Sequence, residues 1–355
     1  MATIILLILL FHSFLAPAIA AQEGAETAPQ WRVQEIPGDS GLIPPPVYLC
    51  ALPNINDYPI FGNAGWDGNW YVGYNLCWIE KLPPAPPRNF RSSFVGVKLG
   101  RAKTQQASGK PSWEKEPIPG NIYIAISSTP AWKSVQRFHL VSTEDIPLEG
   151  DMENALEGVG EARWFWAEVP MDMINFEGPN FISVWSPASY FISRDSAPIL
   201  CGGWGAKGVE VNTWLNDEIQ GAPPINPDNS LKTPISVFEP AIAIKLIPEE
   251  TTREIRVFIN SVREGKPGAG TKVIDSSVQG YQIDRAWLEV ATVTTTYRKI
   301  GRYLYNPPYT FTLNPQSLPR GNIFIRVAAE DEWANKGNSA PFEMIVEAGI
   351  EKKAR

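Results

Sequence analysis

Apolar residues recur at every second position in short runs along most of this chain. Residues 94–99 (FVGVKL), 121–126 (NIYIAI), 138–141, 163–169 and 181–185 alternate apolar with small or polar positions, the period of a half-buried strand. The pattern returns at 254–260, 285–293, 309–313, 322–328 and 342–346. Residues 235–247 (ISVFEPAIAIKLI) predict one longer strand, kinked at Pro240. Turn clusters separate the runs, among them Ser128-Thr129-Pro130, Glu177-Gly178-Pro179 and Pro227-Asp228-Asn229. Helix is predicted only in short stretches, at 134–138 and in a turn at 152–156. Many short strands between Gly/Pro turns predict an all-β chain of packed sheets.

Composition agrees. Of the 355 residues, 28 are Gly and 33 are Pro, together above the usual share of about 12%. Charged residues are 19% and apolar ones 44%, enough to build packed cores. The net charge of −7 argues against a nucleic-acid surface, which needs clustered Lys and Arg.

The aliphatic run of residues 4–10, with Phe11, Phe14 and Leu15 after it, ends in Pro17-Ala18-Ile19-Ala20. Small residues before a cleavage point at Ala20 give the layout of a secretory signal, although the leading Met1-Ala2-Thr3 carries no Lys or Arg. We therefore expect residues 1–20 to be removed and the chain exported to a periplasm, cell surface or medium. An apolar run of this length is short of the about 20 residues a span needs, and no later stretch approaches that length, so no transmembrane segment is expected after removal. Residues 21–46 read as a Pro-rich N-terminal arm ending in Pro44-Pro45-Pro46. Residues 47–248 are expected to form a first sandwich, with 47–87 either part of it or an aromatic extension closed by the break Leu82-Pro83-Pro84-Ala85-Pro86-Pro87. A second sandwich is placed at 249–349, and a basic tail at 350–355.

The second region resembles a bacterial immunoglobulin-like surface domain. The matching residues are Pro308-Tyr309-Thr310-Phe311-Thr312-Leu313, Leu318-Pro319-Arg320-Gly321, residues 323–329 (IFIRVAA) and residues 331–338 (DEWANKGN). The resemblance implies a turn at Gly321, a strand with Ile323, Ile325 and Val327 on one side, and a turn closed by Asp331 and Asn338. Residues 90–247 look like a jelly roll of the galactose-binding kind, from their order of features: kinked entry strand, paired strands at 121–141, acidic insertion and closing strand. These resemblances imply a jelly-roll-like β-sandwich followed by an immunoglobulin-like β-sandwich, the jelly roll commonly a non-catalytic module of secreted enzymes or surface proteins.

Candidate chemistry is sparse. Only His139 remains once residues 1–20 are gone, and no G-x-S-x-G elbow accompanies it; it reads as an ordinary strand residue. Glu144, Asp145, Glu149, Asp151, Glu153, Glu157 and Glu161 form an acidic run, read as a solvated loop, with calcium binding or a carboxylate pair as the alternatives. Glu168, flanked by Trp166 and Val169, is the single carboxylate of most interest, read as turned to the solvent side of its strand. Asn226, Asp228 and Asn229, and Asp67-Gly68-Asn69, offer calcium-type oxygens, although Asx turns explain both. The 13 Trp, 11 Tyr and 15 Phe are the strongest signal. Trp164 and Trp166 share one strand face, and Trp185, Tyr190, Trp204 and Trp214 follow within fifty residues. Such rings either pack a core or form a platform for sugar C–H faces. Cys50 and Cys77 are the first-choice disulfide; the alternative is that Cys50, Cys77 and Cys201 are all reduced.

The reading that follows is a secreted or cell-surface binding or structural protein. Its expected partners are a glycan or a surface protein, with self-assembly through the Pro-rich arm as a further option and no cofactor beyond calcium. The alternative is a secreted carbohydrate-active enzyme using paired carboxylates.

Overall fold

The structure, a computed structural model, describes residues 43–61, 70–133, 136–149, 162–205, 211–217, 220–235, 238–249, 251–266 and 270–346. The expected signal, most of the Pro-rich arm, both expected helical stretches save a few residues, the Asp67 turn, most of the acidic run and the basic tail lie outside these. The described chain is all-β, with one four-residue helix and three 3₁₀ turns.

The strands are, in order, β1 (Val47–Cys50), β2 (Ile60–Phe61), β3 (Cys77–Leu82), β4 (Phe90–Gly100), β5 (Thr104–Gln106), β6 (Lys115–Pro117), β7 (Asn121–Ser127) and β8 (Phe138–Ser142). Then come β9 (Ala162–Val169), β10 (Asn180–Trp185), β11 (Ile199–Trp204), β12 (Thr213–Asn216), β13 (Thr233–Ile235), β14 (Phe238–Pro240) and β15 (Ile242–Pro248). The last eight are β16 (Arg256–Glu264), β17 (Lys272–Gln279), β18 (Ile283–Thr292), β19 (Arg298–Leu304), β20 (Tyr309–Leu313), β21 (Gly321–Asp331), β22 (Lys336–Asn338) and β23 (Phe342–Val346).

β1 to β15, apart from the separate hairpin β5–β6, build two facing antiparallel sheets. One runs β1-β15-β4-β11-β14, with β2 on β11 and β9 on the free side of β4; the other runs β13-β12-β3-β10-β7-β8. Alternation fills the space between them. Val95, Val97 and Leu99 of β4 and Phe165, Ala167 and Val169 of β9 meet Ile122, Ile124, Ile126, Ile182 and Val184 from the other sheet. Residues 47–82 are thus integral, since β1 pairs β15 and β3 sits between β10 and β12. The run 235–247 is not one kinked strand. Pro240 removes a ladder donor, and the chain there divides among β13, β14 and β15, with β13 in the opposite sheet.

β16 to β23 form the second sandwich, with sheets β16-β17-β20 and β19-β18-β21-β22, β23 continuing along β21. Its separate core is Ile274, Leu288, Phe311, Ile323, Ile325, Val327 and their neighbours. Gly321 has φ +100°, a backbone that side chains resist. The turn after β21 is closed by Asn335, not Asn338. The Asn335 N–H and Nδ2 donate to the Asp331 carboxylate, each at 2.8 Å, while Asn338 lies in β22 opposite Ala328.

The described residues from Pro44 onward cluster as one compact unit, so the two sandwiches share a joint. Arg91 of β4 donates to Trp333 O (2.5 Å) and Asn335 Oδ1 (2.8 Å). Tyr48 donates to Glu332 Oε1 (3.1 Å), and Lys245 Nζ to Glu332 O (3.3 Å). Burial holds the Lys245 ammonium below its usual pKa; Phe94 and Trp166 present ring faces to it at 5.1 and 5.0 Å.

Candidate functional site

β9 is an edge strand, paired only with β4. Phe165 and Ala167 point into the core, which puts Trp164, Trp166 and Glu168 on the outer face. Trp166 stands opposite Gly96 and lies flat upon it, since a Cβ there would sit 2.2 Å from the indole. Trp164 stacks on Trp166 with ring centres 5.2 Å apart, and Tyr58 meets Trp164 edge-on.

Beside β9 lies β8, the edge strand of the facing sheet. Its His139 Nε2 is 3.1 Å from Asn121 Oδ1 and 3.3 Å from Ser142 Oγ, and Ser142 donates to Asn121 Oδ1 at 2.8 Å. Partial burial lowers the His139 pKa; Lys299 pushes the same way and Asp145 opposes. The imidazole is therefore neutral at pH 7. Asp145, in the 3₁₀ turn after β8, is bonded by Lys299 of β19 at 3.0 Å.

β18 and β19 close the far side with Arg285, Lys299 and Tyr303. The result is a cleft of about 390 Å³ along the seam of both sandwiches. All five residues of β8 and residues 165–168 of β9 line it, so its floor is two strand edges. Trp166 and Tyr303 supply ring surface, and His139, Ser142, Asp145, Glu168, Arg285 and Lys299 the polar groups. Burial disfavours the Arg285 charge, yet Glu330 and Asp284 outweigh it and raise its pKa. Burial also raises the Tyr303 pKa.

The six aromatics singled out in the sequence do not form one platform. Only Trp166 lines this cleft, with Trp164 behind it. Trp185 is 2% exposed, packed with Cys77, Trp132 and Phe181 against the opposite sheet, where Trp214 is half-buried. Trp204 is exposed on β11, and Tyr190 is exposed with its hydroxyl donating to Pro119 O. Alternation tells which residues share a strand face, but not which sheet faces which neighbour.

Cys50, Cys77 and Cys201 are free thiols. The expected Cys50–Cys77 bridge is not formed: Cys50 packs against the core between the sheets, whereas Cys77 sits in the separate cluster of Trp132, Phe181 and Trp185 on the far face of its own sheet. Asn226 Oδ1 accepts from Asp228 N–H at 3.0 Å, capping the single helical turn Pro227–Ser230 that also holds Asn229. Among the described residues no three His, Cys, Asp or Glu side chains gather to hold a metal. No helix among them is long and apolar enough to cross a membrane.

A carboxyl pair escaped the sequence reading. Glu80 of β3 is fully buried and Glu239 of β14 is 5% exposed. Thr213 Oγ1 lies 2.5 Å from Glu80 Oε2 and 3.1 Å from Glu239 Oε2. One hydroxyl carries one proton, so bonding both oxygens requires a carboxyl that donates. Burial, then the neighbouring Glu239, raises the Glu80 pKa well above normal, and burial raises that of Glu239. Both effects favour a carboxyl that keeps its proton. With a threonine between them and both side chains buried, these groups leave no room for a glycosidic bond. No short-range signal marks them, since 159 positions separate residues that only sheet packing brings together.

Comparison with known proteins places little beside this chain. No family model matches it, and no curated protein matches it. Solved structures that are similar include a β-1,2-glucanase from Parabacteroides distasonis, 10% identical with a TM-score of 0.21. Others are the glycoside hydrolase domain of Endo-D from Streptococcus pneumoniae R6 (7%, 0.23) and a GH2 β-galacturonidase from Eisenbergiella tayi (8%, 0.16). Each match covers 76% of this chain but only 30%, 31% and 35% of the other. The chain spans about a third of the length of these proteins, and at such scores nothing passes from them to it.

Proposed function

We propose that this chain is a secreted or cell-surface binding protein whose ligand, a glycan, occupies the cleft between its two sandwiches. One observation carries the reading: a concave seam combines ring surface (Trp166, Tyr303) with convergent donors and acceptors (Ser142, Lys299, Arg285, Glu168). Aromatic faces suit the C–H faces of sugar rings, and the polar groups suit their hydroxyls. In this reading the second sandwich is an immunoglobulin-like module that completes the site; its strand order and its Asp331–Asn335 turn support that. A fluorescently labelled full chain should bind a subset of a glycan array, and Glu168→Gln should weaken that binding about tenfold, the loss of one hydrogen bond to a charged group. No retained glycan overturns the proposal.

One observation favours a second reading. Asp145 and Glu168 both line the cleft beside Trp166, as a carbohydrate-active enzyme would need. Asp145, however, is already engaged by Lys299, so binding is the better-supported function. Release of reducing ends from a bound glycan, abolished in Glu168→Gln, would reverse that preference.

A further inference from the structure

We infer that the cleft selects an acidic sugar, taking the carboxylate of a uronic acid beside Arg285 and Lys299. This rests on the glycan reading above and narrows it. Some buried donors at the joint lack an acceptor. Of the eight buried side-chain polar atoms without a hydrogen-bond partner among the described residues, three, Arg163 Nε, Arg285 Nε and Tyr305 Oη, lie at this joint. Buried polar groups are nearly always paired, so three at one joint call for an explanation.

The three are neighbours. The Arg163 guanidinium lies on the Tyr305 ring, and Arg285 lies 4.7 Å from the centre of the Tyr303 ring. Arg285 lines the cleft with its side chain 16% exposed, and Lys299 Nζ, which donates to Asp145 Oδ1 and Gly301 O, keeps one of its three N–H groups for a ligand. Its Nη2 donates to Glu330 Oε1 at 3.1 Å, but the nearest oxygen of Asp284 is 3.7 Å from Nε, an ion pair without a hydrogen bond. Of the three, Arg285 alone lines the cleft, and its Nε is the donor there left without an acceptor. A sugar hydroxyl is a weak acceptor, whereas a carboxylate brings about four lone-pair sites that match the guanidinium fork.

Wall charge decides which anion fits. Asp145 and Glu168 line the same cleft and the chain carries −7 overall. A sulfate or phosphate dianion meets more repulsion there than a monovalent carboxylate does. A uronate also offers hydroxyl donors to Glu168, which a simple anion cannot.

The test is calorimetric titration of the full chain at low salt. The probes are oligomers of glucuronate and of galacturonate, their methyl esters, and neutral glucose and galactose oligomers of equal length, with acetate as competitor. At least one acid oligomer should bind about tenfold tighter than its ester, equal to ~1.4 kcal/mol, and acetate at the same concentration should not displace it. Lys299→Gln, and separately Arg285→Lys, should bring the acid-to-ester ratio towards one. Thermal melts check folding, and Lys299, being partly exposed, serves if the Arg285 variant fails to fold. Equal binding of acid, ester and neutral oligomers overturns this inference and leaves the glycan reading standing. Displacement by equimolar acetate overturns it too, showing a general anion pocket. No binding by any oligomer overturns both.

Discussion

Glu80 and Glu239 show how burial turns a side chain into a pH-dependent contribution to stability. Both carboxyl pKa values are raised, so the folded state keeps a proton that the unfolded chain releases above about 4.5. Where the native state binds more protons, stability falls as pH rises. This contribution is complete below the unfolded value and is lost as pH climbs through the raised folded ones. Glu80→Gln replaces the retained proton with a permanent amide donor. Its melting temperature relative to wild type should be higher at pH 8 than at pH 5, by on the order of a few degrees. An identical difference at both pH values would show that no proton is retained. Thr213→Val removes the hydroxyl between the two carboxyls and should cost about 1–3 kcal/mol in denaturant unfolding.

Trp166 of β9, which lines the cleft, is seated on Gly96 of the adjoining strand β4. The indole occupies the space a Cβ would need, and it is backed by Trp164 and flanked by Tyr48 with ring centres 5.9 Å apart. Gly96→Ala should therefore lift the ring, at a cost of about 1–3 kcal/mol for overpacking, and shift tryptophan fluorescence. Glycan binding should weaken with it. An unchanged emission spectrum together with unchanged stability would mean that the ring does not depend on the glycine.

The joint decides whether the two sandwiches act together. Arg91, Tyr48 and Lys245 bond the 332–335 turn, and Lys299 reaches back to Asp145. We expect one cooperative melting transition for the full chain. Arg91→Ala leaves the Asn335 and Trp333 acceptors short of a donor and should cost about 2–3 kcal/mol. It should also broaden or split the calorimetric transition and weaken binding in the cleft. A sharp single transition with unaltered binding would mean that each sandwich keeps the site without the other.

Strand positions were legible because alternation is local. Phe165 against Trp166, and Ile323, Ile325 and Val327 together, follow from a side-chain period of two, and the observed β4, β7, β9, β10, β20 and β23 fall within a few residues of the expected runs. The turn at Gly321 was legible too, because positive φ demands glycine. Expectations that needed a partner from elsewhere in the chain fared differently. Cys50 and Cys77 read as neighbours, yet they pack in different clusters on opposite faces of the β3 sheet. Trp164 and Trp185 read as one platform, yet they lie on outer faces of different sheets. The cleft itself joins residues 138–168 to residues 285–303, and the Thr213 hydroxyl lies between Glu80 and Glu239. Spacing along a strand encodes which way a side chain points. Which strands pair, and which faces meet, depends on how two cores bury their apolar surface against a shared joint.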